Sequence, residues 1–180
     1  MSFAAAIPVL ETERLVMRGF RADDFDAFAA FYADEQLAFF VGGPQTRFEA
    51  WRNMAARCGS WLLRGFGYWA LETKIDKKIV GWCGLAFPEG WPEQEIGWSL
   101  FRDGQGKGYA TEAAARARTY AYEVAGWTTA ISLIDPRNHA SRKVAERLGA
   151  RYERDVPFLG KEIGVYRHPS PAELKSSPSH

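Results

Sequence analysis

The chain has 180 residues, 47% hydrophobic and 14% aromatic, with 23 Lys and Arg against 22 Asp and Glu for a formal charge of +1. That length suits one domain with a sizeable core, and the balanced charge argues against nucleic-acid binding through a broad basic surface. Cys58 and Cys83 give neither a disulfide framework nor metal-ligand spacing, no apolar run approaches the ~20 residues of a membrane span, and the first residues lack the basic region of a signal peptide, so a cytoplasmic protein is expected.

Residues 14–18 alternate as a short strand, and Asp23-Asp24 open a helix whose apolar face is Phe25, Phe28, Ala29 and Tyr32. The stretch 35–44 has no clear period and breaks at Gly42-Gly43-Pro44. Thr46 and Glu49 form a capping box for a second helix, expected to run to about Leu63 with Trp51, Met54, Ala55, Cys58 and Leu62 on one side. Residues 68–73 and 78–87 read as an antiparallel hairpin around a polar turn. After a Pro- and Gly-rich connection, Ile96, Trp98 and Leu100 alternate as a further strand.

The strand runs into Gly104-Gln105-Gly106-Lys107-Gly108 and then into a helix with Ala110, Ala113, Ala114, Ala117, Ala121 and Val124 on one face and Glu112 placed to pair with Arg116. A glycine bend entering a helix N-terminus offers unpaired amides and the positive end of a helix dipole, which suits phosphate oxygens. It is no Walker A loop, because Phe101 and Gly108 occupy positions that need glycine and Ser or Thr. It is no dinucleotide fingerprint either, since Tyr109 or Thr111 stands where the last glycine or alanine belongs. A pyrophosphate held by loop amides without a metal remains. Further on come a strand over 127–134, a helix from about His139 to Leu148 with Ala140, Val144, Ala145 and Leu148 buried, and a closing strand pair over 151–158 and 161–168. Residues 1–168 read as a single domain and 169–180 as a disordered tail.

EIGWSLFRDGQGKGYATEAA (residues 95–114) resembles the acetyl-CoA signature of the GNAT N-acetyltransferases, and most of all the RimJ/RimL-type branch of ribosomal-protein N-terminal acetyltransferases. A second segment, NHASRKVAERLGA (138–150), resembles that branch's N-x-x-S-x-x-V-x-E-K/R-L-G element in the correct order. The chain departs from the superfamily pattern Q/R-x-x-G-x-G/A by carrying Asp103 at its first position. The resemblance implies an α/β fold with a mixed, mostly antiparallel sheet of about seven strands, splayed in the middle and covered by helices on both faces. It also implies direct acetyl transfer from acetyl-CoA to an amine in a ternary complex.

Under that resemblance the amides of Gln105, Gly106, Lys107, Gly108, Tyr109 and Ala110 cradle the pyrophosphate, and the backbone of Leu100 and Phe101 pairs with the pantetheine arm. Asn138 binds the same arm or caps its helix, and Lys143 or Arg142 reaches the adenosine phosphate or is solvated. Phe39 and Phe40 border the acceptor or pack in the core. An ammonium must lose a proton before it attacks. Glu95 is the candidate base because the branch carries Glu there, with Glu89 and Glu93 as alternatives. Ser141 is the candidate for protonating the leaving thiolate, with Tyr152 behind it. Asp135, His139 and Ser141 lie too close together in sequence to form a hydrolase triad, and His139, His168 and His180 lack metal-ligand spacing. The rival function is a non-catalytic acyl-CoA-binding module. The acceptor stays open between a protein N-terminus and a small amine, and the assembly between monomer and homodimer.

Overall fold

The computed structural model describes residues 7–176. The chain begins with strands β1 (Leu10–Glu11) and β2 (Leu15–Arg18), followed by helices α1 (Phe25–Ala33), α2 (Glu35–Ala38) and α3 (Arg47–Arg64). The expected capping box forms at α3: Thr46 Oγ1 accepts from the Glu49 amide while the Glu49 carboxylate accepts from the Thr46 amide. Gly65, at φ 75°, ends the helix in the left-handed conformation that an L side chain resists. The buried face of α3 is Ala50, Met54 and Trp61; Trp51 and Leu62 are exposed, a rotation away from the expected stripe. Ala50 and Met54 pack with Phe28, Ala29 and Tyr32 of α1, and the larger Trp51 ring meets Phe25 edge-on at the rim.

The hairpin β3 (Tyr68–Thr73) and β4 (Ile79–Ala86) and the strand β5 (Glu95–Leu100) fall where the alternation predicts them. Helix α4 (Tyr109–Glu123) then crosses over to β6 (Ile131–Ile134), α5 (His139–Arg147), β7 (Arg151–Phe158) and β8 (Lys161–Arg167). Among the described residues eight strands form one sheet in the order β1-β2-β3-β4-β5-β6-β8-β7. Every pairing is antiparallel except β5 with β6, which the α4 crossover makes parallel. The count exceeds the expected seven because Leu10 and Glu11 add a short edge strand beside β2. Strand β6 begins later than position 127, because the Trp127 amide caps the end of α4 at the Ala121 carbonyl.

Successive residues of β4 feed opposite faces. Trp82 enters the cluster under α1 and α3, while Cys83 and Leu85 enter the core beneath α4. Helix α4 buries Ala110, Ala113, Ala114, Ala117 and Ala121. Small side chains let its axis lie close to the sheet, so its N-terminus sits directly at the end of β5. Val124 lies past the helix and is exposed, and Ala140 of α5 is exposed rather than buried. The segment expected to be disordered from 169 contains helix α6 (Pro171–Ser176). Ser170 and Glu173 cap it reciprocally, and proline suits the first helical position because its missing N–H is not needed there.

Candidate active site

Strands β5 and β6 share one register pair, Glu95 with Ile131, and diverge beyond it. Two side-chain bridges replace the missing ladder at the fork. The Leu133 amide donates to Glu95 Oε1 at 3.2 Å, and Ser132 Oγ donates to the Ile96 carbonyl at 2.6 Å. His168 Nε2 lies 2.9 Å from the same hydroxyl, which fixes the serine rotamer. The fork opens into a cavity of about 720 Å³ whose walls include Glu95, Trp98, Ser132, Asn138 and Ser141, with Phe39, Phe40 and Arg57 on the side of the N-terminal helices.

At the open end of β5 the chain turns through a short 3₁₀ turn (Arg102–Gly104) into the glycine bend. Gly104 packs flat on β4; a Cβ there would lie 2.7 Å from the Val80 carbonyl oxygen. Gly106 and Gly108 adopt φ 73° and 81°, the left-handed turn the bend needs. Among the described residues the amides of Gly106, Lys107, Gly108, Tyr109, Ala110 and Thr111 donate no hydrogen bond, and the Thr111 hydroxyl is buried without a partner. The Gln105 amide closes the 3₁₀ turn on Arg102 instead, so the run of free amides starts at Gly106. The Lys107 side chain is exposed.

The bend is fixed from behind by a contact that sequence reading missed. Arg14 donates to the Lys107 carbonyl at 2.8 Å and to Glu112 Oε2 at 2.7 Å, and its guanidinium lies 4.8 Å from the Tyr109 ring centroid. Glu112 also accepts from the Arg14 amide and from Thr12, so it pairs across the fold with the β1–β2 turn and not with Arg116. Burial raises the Glu112 pKa, and these bonds outweigh it to hold the group below its ordinary value.

Leu100 faces the gap between β5 and β6, where its carbonyl accepts from the Gln105 side chain at 3.3 Å. Phe101 does not serve as an open strand edge: its amide donates to Val80 and its carbonyl accepts from Gly104. Strand alternation puts the backbone of Trp98, not Phe101, on the gap side with Leu100.

Glu95 is buried at the fork. Its Oε2 accepts from Trp91 Nε1 at 2.5 Å while Oε1 holds the Leu133 amide. Burial raises its pKa above the usual carboxylate value, opposed by those two hydrogen bonds and by the charge of Arg57. The other candidate bases are elsewhere. Glu93 bridges Arg167 and Arg154, which hold it ionised at a pKa of about 2, and Glu89 is exposed on its loop.

Asn138 caps α5, its Oδ1 accepting from the Ser141 amide at 3.1 Å, and both residues line the cavity. Tyr152 lies in a separate cleft with Arg142 and Asp155, away from the fork. Lys143 is exposed on α5 and lines neither cavity. Phe39 and Phe40, exposed and packed edge-on against each other, line the cavity instead of filling the core. Arg57, Trp91 and Ser132 belong to this site although sequence reading did not single them out. For Arg57 a signal existed: between Ala50 and Trp61 it is the charge that falls on the α3 face these two share with Met54.

The family model described as Acetyltransferase (GNAT) domain matches residues 14–151. The protein YkkB of Bacillus subtilis (strain 168) is 30% identical over 169 residues, which cover 89% of this chain and 95% of that protein. The crystal structure of an acetyltransferase from Agrobacterium tumefaciens str. C58 shares 32% identity at a TM-score of 0.85, covering 94% of this chain and 98% of that one. A ribosomal-protein-S5-alanine acetyltransferase from Vibrio fischeri shares the fold at 19% identity and a TM-score of 0.73, covering 92% and 98%. With a parallel strand pair that forks above a glycine bend, and a family model spanning most of the chain, this protein belongs to the GNAT acetyltransferase family.

Proposed function

We propose that the protein moves the acetyl group of acetyl-CoA directly onto a primary amine in a ternary complex. The observation that carries this reading is the fork itself: one cavity is lined by a buried carboxylate, Glu95, and by the hydroxyl-bearing Ser141, next to a bend of undonated amides. The residues suit acetyl-CoA. The amides of Gly106 to Thr111 and the α4 dipole favour a pyrophosphate. The gap-side backbone of Trp98 and Leu100 offers a strand edge to an extended amide-containing arm.

Bound acetyl-CoA supplies the thioester: a C–N bond forms to the acyl carbon, the C–S bond breaks, and the ammonium gives up two protons in all, one ending on the thiol and one passing through the base to solvent. Glu95 takes the amine proton, directly or through one water, and its raised pKa brings it nearer the proton affinity a base needs near neutrality. Ser141 donates a hydrogen bond to the departing sulfur. Asn138 holds the first turn of α5 and so fixes where Ser141 stands.

The rival reading, a non-catalytic acyl-CoA-binding module, shares the bend and the Glu95 brace but has no use for a hydroxyl lining the same cavity as that carboxylate. The deciding experiment measures thiol release from acetyl-CoA against panels of small amines and peptides, alongside the melting temperature with acetyl-CoA. A thermal shift without thiol release from any acceptor supports the binding module. Neither a shift nor release removes both readings, since a ligand specific to the folded state must stabilise it.

A further inference from the structure

Arg57 has an environment that the acetyl-transfer chemistry does not require. Its guanidinium lies 4.4 Å from the Tyr68 ring centroid and 4.8 Å from that of Trp82. Nε donates to Asn53 Oδ1 at 3.0 Å and Nη2 to the Tyr32 hydroxyl at 3.1 Å. A guanidinium has five N–H donors; the Tyr68 hydroxyl engages a further one, and the rest have no acceptor among the described residues. No carboxylate pairs with it there either, whereas Arg14, Arg18, Arg137 and Arg167 each have one. Glu95, on the same cavity wall, feels the charge of Arg57 but forms no ion pair with it, its oxygens being engaged by Trp91 and Leu133. Aromatic walls remove water from the cation without supplying an anion, which leaves a charged fork shaped for a planar carboxylate. Lys161, above the Phe39 ring, adds a second cation at the mouth, and Phe39 and Phe40 offer an apolar wall.

We propose that the acceptor is a small amine that also carries a carboxylate, an amino acid or close analogue with an apolar side chain, and that Arg57 binds the carboxylate while the amine faces Glu95. This rests on the acetyl-transfer reading above and narrows it. A polyamine or aminoglycoside would bring like charge to Arg57, whereas an amino acid brings the missing anion.

The test uses the parent protein with acetyl-CoA and a panel of α-, β- and γ-amino acids, each set against its methyl ester and its decarboxylated amine. Thiol release is read as kcat/KM per neutral amine. The expected result is at least one acid preferred over its ester by roughly tenfold or more, the value of a charge-assisted bidentate contact. The ester's amine is less basic and so more neutral at pH 7, an advantage that reading the rate per neutral amine removes. In Arg57→Met, whose unbranched side chain keeps the packing on Tyr68 and Trp82, the acid-to-ester ratio falls toward one. A ratio does not depend on how much of the variant is folded. If esters, decarboxylated amines, polyamines or peptides turn over and no acid outperforms its ester, this inference is overturned and the transferase stands. If nothing turns over, the transferase reading falls and this one falls with it.

Discussion

Replacing Glu95 by Gln keeps the side-chain volume and removes both the charge and the proton-accepting oxygen. The proposed role of Glu95 as base and its place as brace of the fork predict separable effects. As a base its loss lowers kcat by about 10²–10⁴-fold, or roughly 3–5 kcal/mol of activation free energy. As a brace, Gln keeps one acceptor oxygen for either the Trp91 indole or the Leu133 amide and turns its NH₂ toward the other donor. One unmatched buried donor costs roughly 1–3 kcal/mol, offset by removing a buried charge, so the fold should survive with similar stability.

The pH dependence gives the sign. The folded-state pKa of Glu95 is raised, so the native protein holds this proton longer than the unfolded chain. The parent therefore loses stability as pH rises from the ordinary carboxylate range through the raised value, and the Gln variant does not. The assay pairs denaturant melts across that range with pH–rate profiles on one identified acceptor. The parent's rate should climb as Glu95 loses its proton, and the variant's deficit should shrink as pH nears the pKa of the amine. Parental kcat in the Gln variant at neutral pH would refute the base assignment and leave Glu95 as a brace alone. A raised acceptor KM at constant kcat would instead make it a binder of the ammonium.

Gly108→Asp should abolish acetyl-CoA binding by titration while circular dichroism shows a folded protein: φ is 81°, and the new carboxylate stands beside the undonated amides. Binding at parental affinity would put the pyrophosphate elsewhere. Glu112→Gln should weaken acetyl-CoA affinity by roughly three- to thirtyfold, the loss of about one charge-assisted bond holding Arg14 against the bend; unchanged affinity means the bend needs no clamp. His168 is buried, and burial followed by the nearby Arg118 charge lowers its pKa from 6.5 to about 3. The unfolded chain binds this proton more readily, so the stabilisation is full above about pH 6.5 and is lost as pH falls toward 3, by up to about tenfold in the folding constant per pH unit. Acid melts of His168→Gln should be flatter over that window, and identical slopes would contradict the burial argument.

Local chemistry was legible in the chain because it depends on residues close in sequence. The Thr46–Glu49 capping box, the hairpin, the alternation of Ile96, Trp98 and Leu100 and the alanine stripe of α4 each act within a turn or a strand. The glycine bend was legible for the same reason: φ above zero and an open helix N-terminus are properties of one short segment. Helix α6 was missed because composition alone read Pro169 onward as tail, although Ser170, Pro171 and Glu173 carry a start signal.

What only the tertiary structure decided are pairings between distant residues. Glu112 binds Arg14, some hundred positions away, and not its helical neighbour Arg116, because α4 packs its N-terminus against the β1–β2 turn. Phe101 uses its backbone on β4 and the loop, because the 3₁₀ turn closes there, which leaves Trp98 and Leu100 as the gap-side edge. Arg57 faces the cavity because Ala50 and Met54 set the rotation of α3 against α1. A periodicity states that a helix has a buried face; which residues complete that face, and which charge is carried inward with it, depends on the partner it packs against.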